Sequence, residues 1–86
     1  MDPEAAVDIL KEETLAAERL LDAKWYGDPR EALDLVRDHL DEAGEAQDNL
    51  AHWLARGGFR PRRYDTWLDR YVKAEKAWSA AMKRMR

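Results

Sequence analysis

Leu33, Val36, Leu40, Ala43, Gln47, Leu50 and Leu54 recur at alternating three- and four-residue spacings, the period of one face of an α-helix. A strand would scatter these residues over both of its faces, because strand side chains alternate with a period of two. Stepping the rest of the chain at the helical angle finds two further stripes. Val7, Leu10, Thr14, Ala17, Leu21 and Trp25 align in the first segment, flanked by Ile9 and Leu20. Tyr64, Trp67, Leu68, Tyr71, Trp78, Met82 and Met85 align in the last. Between the stripes lie residues that start and stop helices. Asp2-Pro3 and Asp28-Pro29 each place a capping carboxylate before a proline suited to the first helical position. Gly27 and Gly57-Gly58 supply the terminating glycines, and Pro61 follows the second of these stops. The pattern predicts helices near 3–26, 29–56 and 62–86, with Asp65 an alternative cap for the third. Short connections force neighbouring helices to run in opposite directions. The expected fold is an all-α, three-helix antiparallel up-down-up bundle, one domain over 1–86. Leu10, Leu21, Val36, Leu40, Leu50, Leu68, Tyr71 and Trp78 should share one buried cluster.

A chain of 86 residues is near the size at which one core barely suffices. It contains no cysteine, so neither disulfides nor a thiolate zinc site can supplement that core. Apolar packing must hold it, with four Trp, three Tyr and one Phe as the largest contributors. There is no continuous apolar run of membrane-spanning length, so no membrane partner is expected. The opening residues are acidic and lack the basic-then-apolar layout of a secretion signal, which points to a cytoplasmic location.

Charge is divided sharply along the chain. Residues 1–55 carry a net of −10 and residues 56–86 a net of +7. One account is internal complementarity, with a basic third helix lying against two acidic ones. The other is a pair of oppositely charged surfaces, each available to a partner. Arg62, Arg63 and Arg70 belong to a run of basic residues that suits phosphate binding. Against a nucleic-acid partner stand the pI of about 5.3, the interruption by Asp65 and Asp69, and the lack of any helix-turn-helix or RNA-binding signature.

Residues able to carry chemistry are few. His52 follows Asp48 by one helical turn, a spacing that can begin a metal site, but no second histidine shares that face. A surface His52 interacting with Asp48 is the simpler reading, and His39 points elsewhere. Ser79, Thr14 and Thr66 are the only aliphatic hydroxyls, and neither histidine has an evident link to them. Gly57-Gly58 lacks the preceding strand and the following Lys-Ser/Thr of a phosphate-binding loop. These patterns call for no catalytic residue, no metal and no cofactor. Two departures from the stripes remain. Leu15 falls on the polar side of the first helix with Tyr26, and Glu75 falls inside the third stripe, at its edge or paired with His39 or an Arg.

An up-down-up order gathers Trp53, Phe59, Tyr64 and Trp67 at the end of the bundle that holds the Gly57-Gly58 turn, and Trp25 and Trp78 at the other. The aromatics plug the ends of the core or form a platform for a partner. The stretch Leu54-Ala55-Arg56-Gly57-Gly58-Phe59-Arg60-Pro61, a helix ending in Gly-Gly-Phe before proline, resembles turns in small helical proteins of actinobacterial phages. The Ala/Arg/Asp/Trp-rich composition is similar too. That resemblance implies a protein that binds a host or virion protein in the host cytoplasm; it assigns no residue. The expected function is a non-enzymatic protein-interaction module that binds a protein partner, or itself, through helix faces and split charge. Leu15, Tyr26, Trp53, Phe59, Trp67, Arg62, Arg63 and Arg70 are its candidate contact residues. A nucleic-acid-associated protein using the basic third helix, or a structural component of a virion or larger assembly, are the alternatives.

Overall fold

A computed structural model describes residues 2–24 and 27–85; Trp25 and Tyr26, both named above, lie outside them. Three helices follow one another: α1 (Pro3–Asp22), α2 (Pro29–Ala55) and α3 (Tyr64–Arg84). No strand occurs among the described residues. Every pair of helices packs together, α1 with α2 most extensively, in a rod about 45 Å long.

The predicted caps form as their chemistry requires. The Asp2 carboxylate accepts from the amides of Glu4 at 3.0 Å and Ala5 at 3.3 Å. Asp28 accepts from the Arg30 amide at 2.9 Å. Each satisfies donors that have no partner within their own helix. At the far end of α2, Gly57 adopts φ +88°, a conformation that side chains resist. Its N–H donates to the Leu54 carbonyl at 3.0 Å, and that of Gly58 to the Trp53 carbonyl, also at 3.0 Å. This is a Schellman stop, with the left-handed glycine just past the cap.

Two boundaries differ from expectation. α1 ends at Asp22, four residues early, where Ala23 turns extended, because reversal into the Asp28 cap takes more chain than Gly27 alone supplies. α3 begins at Tyr64 rather than 62, and Arg63 makes no capping bond. Asp65 lies in the first turn of α3, where a negative charge suits the helix dipole.

The core is two clusters rather than one. Ala6, Val7, Leu10, Ala43, Ala46, Leu50, Tyr64 and Trp67 form the cluster nearer the glycine turn. Ala17, Val36, Leu40 and Ala74 form the other. Tyr71 packs against both. Small and polar residues occupy the waist between them. Thr14 is fully buried with its hydroxyl unpartnered. The Tyr71 hydroxyl lies 2.8 Å from where a Cβ on Gly44 would stand. Of the predicted core, Leu10, Val36, Leu40 and Leu50 are buried, while Leu21, Leu68, Tyr71 and Trp78 are half-buried. Three helices enclose only the centre of each stripe and leave its edges wet.

Candidate interaction surface

The basic third helix answers the charge question in two ways. Arg63 reaches α1, where its Nη2 donates to Asp8 at 2.8 Å and Glu4 at 3.3 Å. One stretch further along, Arg70 clasps Glu18 with two hydrogen bonds, the Nε one 3.1 Å long, and its guanidinium lies 4.5 Å from the centre of the Trp67 ring. Lys73 pairs with Asp69 on its own helix at 2.9 Å. Three of these four acids stand on α1, so much of the charge separation is satisfied inside the bundle.

A reversed pair locks α3 to α2. Arg37 donates to Glu75 through both terminal nitrogens, at 2.7 and 3.0 Å, and stacks over Trp78 at 4.7 Å. Glu75 therefore has its cation, which is Arg37. Those hydrogen bonds hold the Glu75 carboxyl below its ordinary range against the opposing effect of burial. Tyr71 donates to the same carboxylate at 2.9 Å. Burial, reinforced by the Glu75 bond, pushes the Tyr71 phenol up to about 12. His39 instead meets Glu13 of α1 at 2.6 Å.

Leu15, expected on a polar side, is half-buried and packs against the first cluster. Lys11, Leu15 and Glu18 share one flank of α1, and α3 covers it: Lys11 sits 5.8 Å from the Trp67 ring centre, and Glu18 holds Arg70. That flank looks polar by composition only. Trp67 is itself buried. Tyr26 lies outside the described residues. The contact set expected from sequence thus divides, with Leu15, Trp67, Arg63 and Arg70 turned toward packing and internal ion pairs.

Trp53, Phe59 and Arg62 meet a different fate. The connection from α2 to α3 leaves Phe59 62% exposed, the largest value among the exposed large hydrophobics Ile9, Leu35, Phe59 and Val72. Phe59 is nevertheless held. The Trp53 indole N–H donates to its carbonyl at 2.9 Å, and the two rings meet edge to face with centroids 5.7 Å apart. The indole lies so close over Gly58 that a Cβ there would overlap it. Arg60 binds Asp65 through three contacts of 2.6–3.2 Å and lies 5.2 Å from the Tyr64 ring centre. The bonds from Arg60 draw the Asp65 carboxyl below its usual range. Arg56 and Arg62 are exposed, and no carboxylate among the described residues pairs with either. From Asn49 to Tyr64 the chain contains no Asp or Glu.

Arg56 belongs to the same basic run as Arg62 but is absent from the expected contact residues, because it reads as the last residue of a helix. Its place beside the Gly57-Gly58 stop was the available signal. The loop thus carries an anchored aromatic, with exposed arginines three residues before and after it in the chain. The two histidines do not converge on a site. His52 hydrogen-bonds the Asp48 carbonyl, not its carboxylate, at 2.9 Å. Among the described residues no group of three or more His, Asp or Glu is placed to hold a metal ion. No described helix is long and apolar enough to cross a membrane. No family model matches the chain, and neither a curated protein nor a solved structure does.

Proposed function

We propose that this protein acts by binding a protein partner, without catalysis, and that the loop carrying Phe59 makes the contact. The observation that carries this reading is an exposed aromatic ring pinned in place. An aromatic left in water contributes little to folding, yet Trp53 fixes both the ring and the backbone of Phe59. Anchored aromatics beside arginines are the side chains that dominate protein interfaces, since they lose little freedom on docking. Four of the basic groups that would favour nucleic acid, Arg60, Arg63, Arg70 and Lys73, already face carboxylates. The described basic groups left over are split, Arg56 and Arg62 at the loop and Lys76, Lys83 and Arg84 toward the far end of α3, which spreads out the phosphate contacts that such binding rests on.

Crosslinking from the loop tests the proposal. A photoreactive phenylalanine analogue at position 59, activated in cells producing the chain, is expected to form discrete protein adducts. The same group at Ser79, exposed on α3, should form none of them. Equal adducts from the two positions, adducts only to nucleic acid, or no adducts would overturn the reading.

A further inference from the structure

We infer that one occupant of the Phe59 loop is a second copy of this chain, docked through the acidic patch around Leu35. This rests on the loop being a contact surface and adds the identity of what it meets. Leu35 is 46% exposed on α2. Glu31, Asp38 and Glu42 stand at i−4, i+3 and i+7 from it, so they share its side of the helix. All three are exposed, and none is paired with a cation among the described residues.

The two patches are matched in chemistry. One carries an exposed aromatic residue with Arg56 and Arg62 three positions to either side in the chain; the other presents a branched aliphatic side chain on the same helix side as three carboxylates. Each carries an apolar centre that its own copy leaves uncovered, with charges of one sign that its own copy leaves unanswered. They cannot meet within one molecule, because the Phe59 loop leaves the end of α2 that is distant from Leu35. The separation along the helix from Leu35 to Ala55 is about 30 Å at 1.5 Å per residue. Between copies the match is free to form. Opposite charges steer the approach, and the apolar pair excludes water from the centre.

A charge exchange on the purified full chain tests this. The parent is expected to self-associate with rising concentration in sedimentation, and less so in high salt. Arg56→Glu/Arg62→Glu reverses the loop, and Asp38→Lys/Glu42→Lys reverses the patch. Each variant alone should lose association by at least about tenfold, since like charges then face one another. An equimolar mixture should regain it, because every contact between unlike variants is again between opposite charges. Circular dichroism should show each variant folded, because all four positions are exposed, away from both clusters. A parent that stays monomeric up to millimolar concentration, variants that associate as the parent does, or a mixture that stays monomeric would each overturn the inference. A monomeric parent that still gives protein adducts from position 59 would overturn this inference alone and leave the loop as a contact for another protein.

Discussion

Gly58→Ala probes how the Phe59 loop is held. The new Cβ would overlap the Trp53 indole, and the indole has to swing away. Its bond to the Phe59 carbonyl, worth about 0.5–1.5 kcal/mol net, is then lost. So is the edge-to-face pair with the Phe59 ring, worth a further ~0.5–1.5 kcal/mol. In the other direction, alanine restricts the unfolded chain and returns about 0.4–1 kcal/mol. The net is a loss of about 1 kcal/mol, a fall in Tm of about 4–8 °C for a domain of this size. Gly57→Ala is the control. Its φ of +88° makes alanine strained, yet nothing lies within 4 Å of the new Cβ. Left-handed strain of about 1–2 kcal/mol lowers Tm there as well, so Tm alone does not separate the two. The Trp53 indole N–H resonance does: it should move in Gly58→Ala and hold its place in Gly57→Ala. A Gly58→Ala variant as stable as the parent, with that resonance unmoved, would refute the account of how Trp53 positions the loop.

Other substitutions test the packing. Leu40 is fully buried, so Leu40→Ala should cost about 2–5 kcal/mol in denaturant unfolding; a cost under about 1 kcal/mol would count against the second cluster. The buried Thr14 hydroxyl has no partner, so the isosteric Thr14→Val is expected to stabilise by about 1 kcal/mol or more, and a loss of stability would show that the hydroxyl is bonded. Glu75→Gln should lower stability at neutral pH by no more than about 1 kcal/mol, because the Arg37 pair remains in touch with solvent. Since the folded Glu75 carboxyl titrates below its ordinary range, its contribution is complete above that range and disappears as pH falls through the folded value. Thermal melts from pH 7 downward should therefore show the gap between parent and Glu75→Gln closing in acid; a gap that widens would reverse the assignment.

Local signals were readable in the chain and tertiary ones were not. Asp2, Asp28 and Gly57 act through neighbours a few residues away, so their types alone announce two helix starts and a stop. The α2 stripe was equally legible, because a heptad of apolar residues has one way to be buried. Leu15 illustrates the opposite case. Its burial depends on which flank of α1 the third helix covers, and a single-helix periodicity contains no information about a neighbour's side. The waist of the core followed the same rule: Thr14 sits in an otherwise regular stripe and Gly44 beside one, and only their alignment across helices divides one expected cluster into two.

Phe59 was legible as a candidate, but not as the exposed member of the aromatic group. Trp67 and Phe59 read alike in sequence, and packing against α1 separates them. Trp67 lies near the start of the α3 stripe and turns inward beneath Lys11 and Arg70, whereas Phe59 precedes the helix, meets the edge-to-face Trp53 ring and stays largely exposed. The same separation divides the arginines. Arg63 and Arg70 lie where α1 offers carboxylates, so their charge goes toward fastening α3 to the bundle. Arg56 and Arg62 lie three residues to either side of Phe59 in the chain, in a stretch without acids, and both are exposed. One basic segment thus divides: Arg63 and Arg70 pair with carboxylates of α1, while Arg56 and Arg62 stay exposed beside the loop, where the proposed contact would use them.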